Sequence, residues 1–241
     1  VIGESGSGKS TMARVMSGLL PASQGDVLLG GENLSQDLRN RSRLELQKIQ
    51  FVFQMADTAL NPRQKIDQIL GRPLEFYTGL KGGEKRKRIA ELLEMVELPQ
   101  DFSGRYPDEL SGGQKQRINL ARALAASPEI LLCDEVISAL DTIVGANIIE
   151  LLKQLRKNTG VSFVFISHDL STVASFADYI VVLYSGKVVD QGTVDEVLSP
   201  PYHPYTRLLI ASVPALRVGW LEESIDEIDK LALKRDQGFI N

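Results

Sequence analysis

The apolar residues of the chain fall into short runs that alternate with segments of helical periodicity. Three runs have the length of a strand and contain no charged residue: 130–133, 163–166 and Tyr179–Tyr184. Between the first two runs, apolar residues recur at the spacing of one helix face, at Ile148, Leu151, Leu152 and Leu155. Buried strands that alternate with helices predict an α/β fold, in which a mainly parallel sheet is flanked by helices.

The same patterns and the turn residues predict further elements. They are the end of a buried strand at residues 1–2, a helix at 9–20 stopped by Pro21, a strand at 49–53, and hairpins around Gly30-Gly31 and Ser185-Gly186. The two hairpins predict an antiparallel β portion beside the parallel sheet.

Residues 55–128 interrupt the alternation of strands and helices with a largely helical block. Ile89, Leu92, Leu93 and Val96 follow the i, i+3, i+4, i+7 spacing of a single helical stripe. A second helix is predicted to follow Ser111 and to end near Pro128. We therefore expect residues 55–128 to form a helical subdomain inserted into the main domain, and residues 200–241 to form a separate tail.

A glycine-rich segment at residues 3–10 reads G-E-S-G-S-G-K-S and matches G-x-x-x-x-G-K-[ST] in full. Its glycines let backbone N–H groups turn toward phosphate oxygens, and the following helix adds its positive end. In this pattern the lysine binds the terminal phosphates and the hydroxyl binds Mg²⁺. The predicted nucleotide-binding residues are Gly3, Glu4, Ser5, Gly6, Ser7, Gly8, Lys9, Ser10 and Thr11.

Two acidic residues follow the apolar run at 130–133. Ligands of open α/β sheets bind at the carboxyl ends of the strands, where Asp134 and Glu135 are expected to lie. With a phosphate loop in the same chain, Asp134 is the predicted holder of Mg²⁺ and Glu135 the group that polarises the attacking water.

The segment Ser111, Gly112, Gly113 and Gln114 combines a helix N-cap with two glycines. Together with the phosphate loop and the two acids, it resembles the signature of ABC ATPases over nearly the whole chain. The resemblance implies a single ABC ATPase domain of the P-loop type that binds ATP and Mg²⁺. It also implies a head-to-tail homodimer or heterodimer, in which the signature of one subunit covers the γ-phosphate held by the other.

The resemblance assigns roles to three further residues. Gln54 resembles the glutamine that reaches Mg²⁺ and the attacking water, and it leads into the helical block that contacts the membrane subunits. Asp141, in Ser138-Ala139-Leu140-Asp141, resembles the residue that communicates across the dimer. His168 resembles the switch histidine that contacts the γ-phosphate. Glu135, His168 and Gln54 are thus the predicted catalytic residues.

The sequence departs from the family pattern at three places. Val136-Ile137 stands where the family has Pro-Thr, so we expect hydrolysis to survive at a reduced rate. Met55-Ala56 is unusual after Gln54, although Leu60-Asn61-Pro62 is kept. The aromatic residue that stacks on adenine lies upstream of the phosphate loop in this family, and the chain begins at Val1 with the loop at Gly3. The sequence is therefore expected to be N-terminally incomplete, as a clipped single ATPase or the second half of a fused tandem.

The net charge of -4 argues against a dedicated nucleic-acid binder. The single cysteine, Cys133, allows neither a disulfide nor a cysteine zinc site within the chain. No apolar run approaches the roughly 18–20 residues that span a bilayer. The resemblance implies a peripheral location at the cytoplasmic face of the inner (plasma) membrane, in contact with two transmembrane permease subunits. It also implies a solute-binding protein as an indirect partner.

The segment at residues 198–206, L-S-P-P-Y-H-P-Y-T, resembles the tail motif of oligopeptide/dipeptide (and nickel) importer ATPases. The predicted function is therefore ATP hydrolysis that energises import of peptides or related solutes. Two alternatives stay open, an exporter ATPase and a non-transport ABC ATPase of DNA repair or translation. About 100 residues separate Lys9 from Ser111 without sustained heptads, which disfavours the chromosome-type members.

Overall fold

A computed structural model describes residues 1–212. Within this range the strands are β1 (Val27–Leu29), β2 (Glu32–Leu34), β3 (Ile49–Val52), β4 (Ile130–Asp134), β5 (Ser162–Ile166), β6 (Tyr179–Tyr184) and β7 (Lys187–Thr193). The helices are α1 (Lys9–Ser17), α2 (Arg43–Lys48), α3 (Ala56–Ala59), α4 (Ile66–Pro73), α5 (Gly82–Met95), α6 (Gly112–Leu124), α7 (Thr142–Thr159), α8 (Leu170–Phe176), α9 (Val194–Val197) and α10 (Pro204–Ala211). Two compact units result, one of Ser10–Val164 and one of Val1–Lys9 with the described residues from Phe165 onward.

In the unit Ser10–Val164, β3 and β4 pair in parallel from Ile49 opposite Ile130 to Val52 opposite Cys133. Both strands carry apolar side chains into the core, because Val52, Leu131, Leu132 and Cys133 are all buried. Burial also raises the pKa of the Cys133 thiol. The parallel pair sets the carboxyl ends of β3 and β4 side by side, just before Gln54 and Glu135.

The hairpin of β1 and β2 turns at Gly30 and Gly31, whose φ angles of 61° and 87° lie in the left-handed region. Two consecutive residues with positive φ are the requirement of the tight turn that fits twisted antiparallel strands. The predicted first hairpin is thereby confirmed.

Between β3 and β4 the described elements are all helical, from α3 through α6. Ile89, Leu92, Leu93 and Val96 are buried together, as their spacing predicted. The helices α4, α5 and α6 pack on one another through this stripe and the buried residues of α4. The limits of the subdomain at 55 and 128 stay a prediction.

In the other unit, β6 and β7 form the second hairpin, with β7 continuing to Thr193. Ile2 is buried and forms a parallel bridge to Val182 of β6, which agrees with the predicted strand end. The residues that follow Ile2 thus begin at the edge of this hairpin. Of the predicted tail, residues 213–241 lie outside the described residues.

Helices α1 and α2 differ from the sequence prediction. Helix α1 ends at Ser17 instead of residue 20, because Gly18 takes a φ of 80° and closes the last turn with a hydrogen bond to Val15 O. Helix α2 was not predicted, although Ser42 and Glu45 form a reciprocal capping box at its start. That signature, S-x-x-E before a helix, is visible in the sequence.

None of the helices described in residues 1–212 is both long enough and apolar enough to cross a bilayer.

Candidate active site

The phosphate-loop segment curls around the ammonium group of its own lysine. Lys9 Nζ donates hydrogen bonds to Gly3 O at 2.9 Å and to Glu4 O at 2.8 Å, and only 4% of Lys9 is exposed. Gly3, Gly6 and Gly8 have φ angles of 151°, 83° and 102°, which favour glycine. The motif therefore adopts a concave loop ahead of α1.

Ser7 supplies the observation that tests whether this loop fits a phosphate group. Its hydroxyl is buried and has no hydrogen-bond partner among the described residues. A buried hydroxyl without a partner is costly, and a phosphate oxygen would accept its proton. A Cβ built on Gly6 would meet no other atom within 4 Å, so the space beside this residue of the loop is open. The residues fit a phosphate ligand.

The space around Gly3 leaves no room for a side chain. A Cβ at this position would lie 2.1 Å from Leu183 O and 2.8 Å from Ser7 Oγ. We expect Gly3→Ala to destabilise the folded state by roughly 3 kcal/mol or more, since backbone atoms must move and φ is strained. Denaturant unfolding measures the change. Gly25→Ala is the matched control, because Gly25 also has positive φ but open space around it, and it is expected to cost about 1 kcal/mol. Equal losses in the two variants would contradict the close approach at Gly3.

A hydroxyl and a carboxylate meet where α1 begins and β4 ends. Ser10 Oγ donates a 2.8 Å hydrogen bond to Oδ1 of Asp134, which is buried. Hydroxyl and carboxylate oxygens are the ligands that Mg²⁺ prefers. Within the described residues, no group of three or more His, Cys, Asp or Glu side chains could hold a metal ion. Phosphate oxygens and water would therefore complete the coordination of an ion held by Ser10 and Asp134.

Glu135 lies beside Gln54 at the ends of the two paired strands. Gln54 Nε2 donates to Glu135 Oε2 at 3.1 Å and to Ser138 Oγ at 3.0 Å. Ser138 Oγ in turn donates to Glu135 O at 2.9 Å. Glu135 also has a φ of 46°, an uncommon conformation for a residue with a side chain, which is typical of functional sites. The structure thus brings two predicted catalytic residues together.

Asn119 was not identified from the sequence, yet it fixes the segment that carries Gln54. It is fully buried on α6, and its Nδ2 donates a 3.0 Å hydrogen bond to Phe53 O, one residue before Gln54. Arg122, on the same helix, donates to Ala59 O and to Asn119 Oδ1. Burial lowers the pKa of Arg122. The feature of the sequence that could have identified it is a polar asparagine between two apolar residues, Ile118 and Leu120, which are both buried.

The signature residues form the N-terminus of α6. Ser111 Oγ accepts from Gln114 N, and Gln114 Oε1 accepts from Ser111 N at 3.0 Å, which makes a capping box. Gly112 and Gly113 approach the start of α7, where a Cβ on Gly113 would meet Val144 Cγ1 at 2.6 Å. The second glycine is therefore required for packing within the chain, whatever it does toward a second subunit.

Asp141 and His168 each lie at or next to the N-cap of a helix. Asp141 is exposed and caps α7, accepting a 3.0 Å hydrogen bond from Val144 N. His168 is exposed after β5 and precedes Asp169, the N-cap of α8. Their roles toward nucleotide and second subunit stay predictions.

Of the unusual Val136-Ile137 pair, Val136 packs into the core and Ile137 is half-buried. Val136 is buried, and Ile137 O accepts from Leu140 N in the turn that leads to Asp141. Of the other unusual pair, Met55 is exposed and Ala56 is buried at the start of α3. The apolar side chain of Val136 thus gains burial that partly offsets the conformational freedom left by the absence of proline.

The sequence matches two known family profiles. A family profile described as "ABC transporter" matches residues 1–138, more than half of the chain. The chain belongs to the ABC transporter family. A second profile, described as "Oligopeptide/dipeptide transporter, C-terminal region", matches residues 189–238. The resemblance inferred from the motifs is therefore confirmed.

Several curated ABC relatives are similar over most of the chain. It is 40% identical over 93% of its length to the dipeptide transport ATP-binding protein DppF of Haemophilus influenzae, of which it covers 69%. It is 43% identical over 89% of its length to the oligopeptide transport ATP-binding protein OppF of Bacillus subtilis, of which it covers 71%. Relatives from Brucella abortus and Brucella melitensis are 44% identical over 91% of this chain. The chain spans only 66% and 58% of the lengths of these two.

Solved ABC structures have the same fold. The ATP-binding cassette MJ0796, in a dimeric post-hydrolysis state bound to ADP and Pi, is 37% identical with a TM-score of 0.70, over 80% of this chain and 83% of that one. CbiO1 of Clostridium perfringens, part of the cbiONQ transporter complex, is 26% identical with a TM-score of 0.75, over 92% and 85%. The predicted α/β fold of the ABC type is thus confirmed.

Proposed function

We propose that the chain is the ATP-binding and ATP-hydrolysing part of an ABC importer for oligopeptides, dipeptides or related solutes. The observation that carries the proposal is the hydrogen bond between Ser10 and Asp134. It joins the hydroxyl that ends the phosphate-loop motif to the acid that ends β4, two groups 124 residues apart in the sequence. This pair is what a site for a nucleotide and Mg²⁺ requires at the carboxyl end of a parallel strand.

In the proposed binding step, Lys9 and the loop N–H groups hold the phosphates of ATP. Gly3, Glu4, Ser5, Gly6, Ser7 and Gly8 form the loop, and Ser10 and Thr11 follow it on α1. When bound at Ser10 and Asp134, with Gln54 as a further proposed ligand, Mg²⁺ would neutralise charge on the phosphate oxygens. A buried ammonium and a buried carboxylate hold fixed charges, so little reorganisation is needed when the substrate arrives.

In the proposed hydrolytic step, Glu135 accepts a proton from the water that attacks the γ-phosphate. Gln54 fixes Oε2 of Glu135 and orients the carboxylate. His168 is proposed to contact the γ-phosphate as charge develops there. The base must lie within about 2.6–3.2 Å of the water, directly or through one further water. The burial of Val136 supports retention of this geometry despite the altered sequence, with a reduced rate.

The proposal includes a second ATPase subunit, identical, different or fused in one chain. It is supported by the exposed Ser111 and Asp141 at the N-termini of α6 and α7, where backbone N–H groups favour an anion. MJ0796, similar in sequence and fold, is a dimer. In such a pair Ser111, Gly112, Gly113 and Gln114 of one subunit would cover the γ-phosphate bound to the other.

The proposed membrane partners are two permease subunits, which place the ATPase at the cytoplasmic face. A cleft of about 620 Å³ in the unit Ser10–Val164 is lined by Phe51, Phe53 and Phe76, with Arg72 and Arg122 beside them. Phe53 precedes Gln54, so a helix seated in the cleft would contact the segment that fixes the catalytic carboxylate. An apolar cleft with a few cations fits the amphipathic helix of a permease loop.

We expect Phe76→Glu to reduce copurification with the two permease subunits at least about tenfold, because a carboxylate would be desolvated in the apolar cleft. Half of Phe76 is exposed, so the variant should fold and retain basal ATP hydrolysis. Affinity purification of the whole protein from membranes measures the effect. Val188→Glu, at another exposed apolar position, is the control and should copurify like the parent.

Equal recovery of the permeases with both variants would contradict docking at the cleft. Copurification of the parent with DNA or ribosomes instead of permeases would favour the non-transport alternative. Export driven by the purified complex in vesicles would favour the exporter.

Peptide import is supported by the profile match at residues 189–238 and by the named functions of the relatives.

A further inference from the structure

The segment at residues 198–206 has a structural role that the family resemblance does not supply. Its residue Tyr205 lies in the first turn of α10 and is 1% exposed. Two hydrogen bonds fix the start of α10. His203 Nδ1 caps the helix by accepting from Tyr205 N at 3.2 Å, and Thr206 Oγ1 donates to Asp190 Oδ2 of β7 at 2.5 Å. These two bonds restrain the backbone that carries the Tyr205 ring.

The hydroxyl of Tyr205 reaches the phosphate loop. Glu4 N–H donates a 3.0 Å hydrogen bond to Tyr205 OH, across 201 residues of sequence. The Tyr205 ring packs against Tyr184, with ring centroids 4.5 Å apart. Tyr184 ends β6, and in the turn that follows, Gly186 N–H donates to Ser7 O at 3.0 Å. The hairpin and α10 are thus each joined to the phosphate loop by one hydrogen bond, the hairpin at Ser7 and α10 at Glu4.

Glu4 is the residue at which these contacts meet Lys9. Its carbonyl accepts from Lys9 Nζ at 2.8 Å and from Ser7 N at 3.2 Å, while its N–H is held by Tyr205. Restraining one side of this residue restrains the carbonyl that positions the ammonium group. We propose that Tyr205 is a positioning residue for the phosphate loop, through which the C-terminal segment raises the affinity for ATP. This inference rests on the proposed ATPase function.

The physical consequence is a change in affinity without a change in the chemical step. In the proposed site Lys9 would contact the phosphates in the ground state and in the transition state alike, so weaker positioning removes binding that is uniform to both. A loss of uniform binding raises KM and leaves kcat unchanged. A structural role limited to docking α10 would instead lower the thermal stability and leave KM unchanged.

The test is steady-state ATP hydrolysis by the whole protein and by Tyr205→Phe, which keeps the ring and removes the hydroxyl. We expect KM for ATP to rise about tenfold, the effect of roughly 1.4 kcal/mol, with kcat within about twofold of the parent. Tyr184→Phe is the matched control, since it removes a hydroxyl from the ring in contact with Tyr205. It is expected to leave both constants within about twofold. Thermal unfolding is recorded for all three proteins.

The possible results separate the inference from the function on which it rests. A KM within twofold of the parent in Tyr205→Phe, or an equal rise in Tyr184→Phe, overturns the positioning role. A lowered unfolding temperature with unchanged KM assigns Tyr205 to structure alone and also overturns it. In each of these cases the parent hydrolyses ATP and the proposed function stands. Absence of hydrolysis in the parent would refute the proposed function itself.

Discussion

Replacement of Lys9 by alanine is expected to weaken ATP binding at least about hundredfold. The change removes the buried ammonium group, and a charge-assisted hydrogen bond to phosphate contributes roughly 1.5–3 kcal/mol. It also removes the two hydrogen bonds that draw Gly3 O and Glu4 O around the same group, so the loop itself loses its shape. A hundredfold loss corresponds to about 2.7 kcal/mol. Equilibrium titration of the whole protein with a fluorescent ATP analogue measures the effect.

Two further variants separate the charge from other effects of the substitution. Lys9→Met keeps most of the buried stem and is expected to lose nearly as much affinity as Lys9→Ala. Lys48→Ala removes the same charge from a half-buried lysine that pairs with Glu129, and it should bind like the parent. Retained micromolar binding in both Lys9 variants would refute the assignment of the phosphate loop.

Replacement of Glu135 by glutamine is expected to reduce hydrolysis at least about hundredfold while ATP binding is retained. The amide keeps the size of the side chain and one oxygen that can accept from Gln54, but it cannot accept the proton of the attacking water. Loss of general-base catalysis typically costs a factor of 10²–10⁴. Because binding persists without turnover, the variant should accumulate as an ATP-bound dimer, which size-exclusion chromatography with and without ATP detects.

Glu129 offers a control at the opposite end of the same strand. It precedes β4, is exposed and forms a salt bridge with Lys48. Glu129→Gln therefore changes the same chemical group without touching the site and should hydrolyse ATP like the parent. A Glu135→Gln variant that stays monomeric with ATP would contradict the trapped dimer.

Local patterns predicted much of this fold. The stripe through Ile89 and Val96, the hairpin at Gly30-Gly31 and the cap at Ser111 each depend on residues within a few positions, so periodicity and turn chemistry suffice. The candidate site was predicted because its motifs pair a fixed spacing with a fixed chemistry. The parallel pairing of β3 with β4 then explains why Gln54 and Glu135 meet.

The contacts that support the site were not predicted, since they join residues far apart in the sequence. Asn119 and Phe53 are 66 residues apart, and Glu4 and Tyr205 are 201 apart. Nothing in the neighbourhood of Tyr205 indicates that its hydroxyl accepts from the phosphate loop. The end of α1 was missed for a different reason, because the apolar pattern continues to Leu20 while Gly18 alone stops the helix.

Phosphate release from ATP, measured on the whole protein beside Glu135→Gln at saturating ATP and Mg²⁺, tests the central claim most directly. We predict steady turnover in the parent and a rate at least about hundredfold lower in the variant. Equal rates would show that Glu135 is not the base. Absence of turnover in a parent that is folded and assembled with its partners would contradict the claim that the chain is an ATP-hydrolysing subunit.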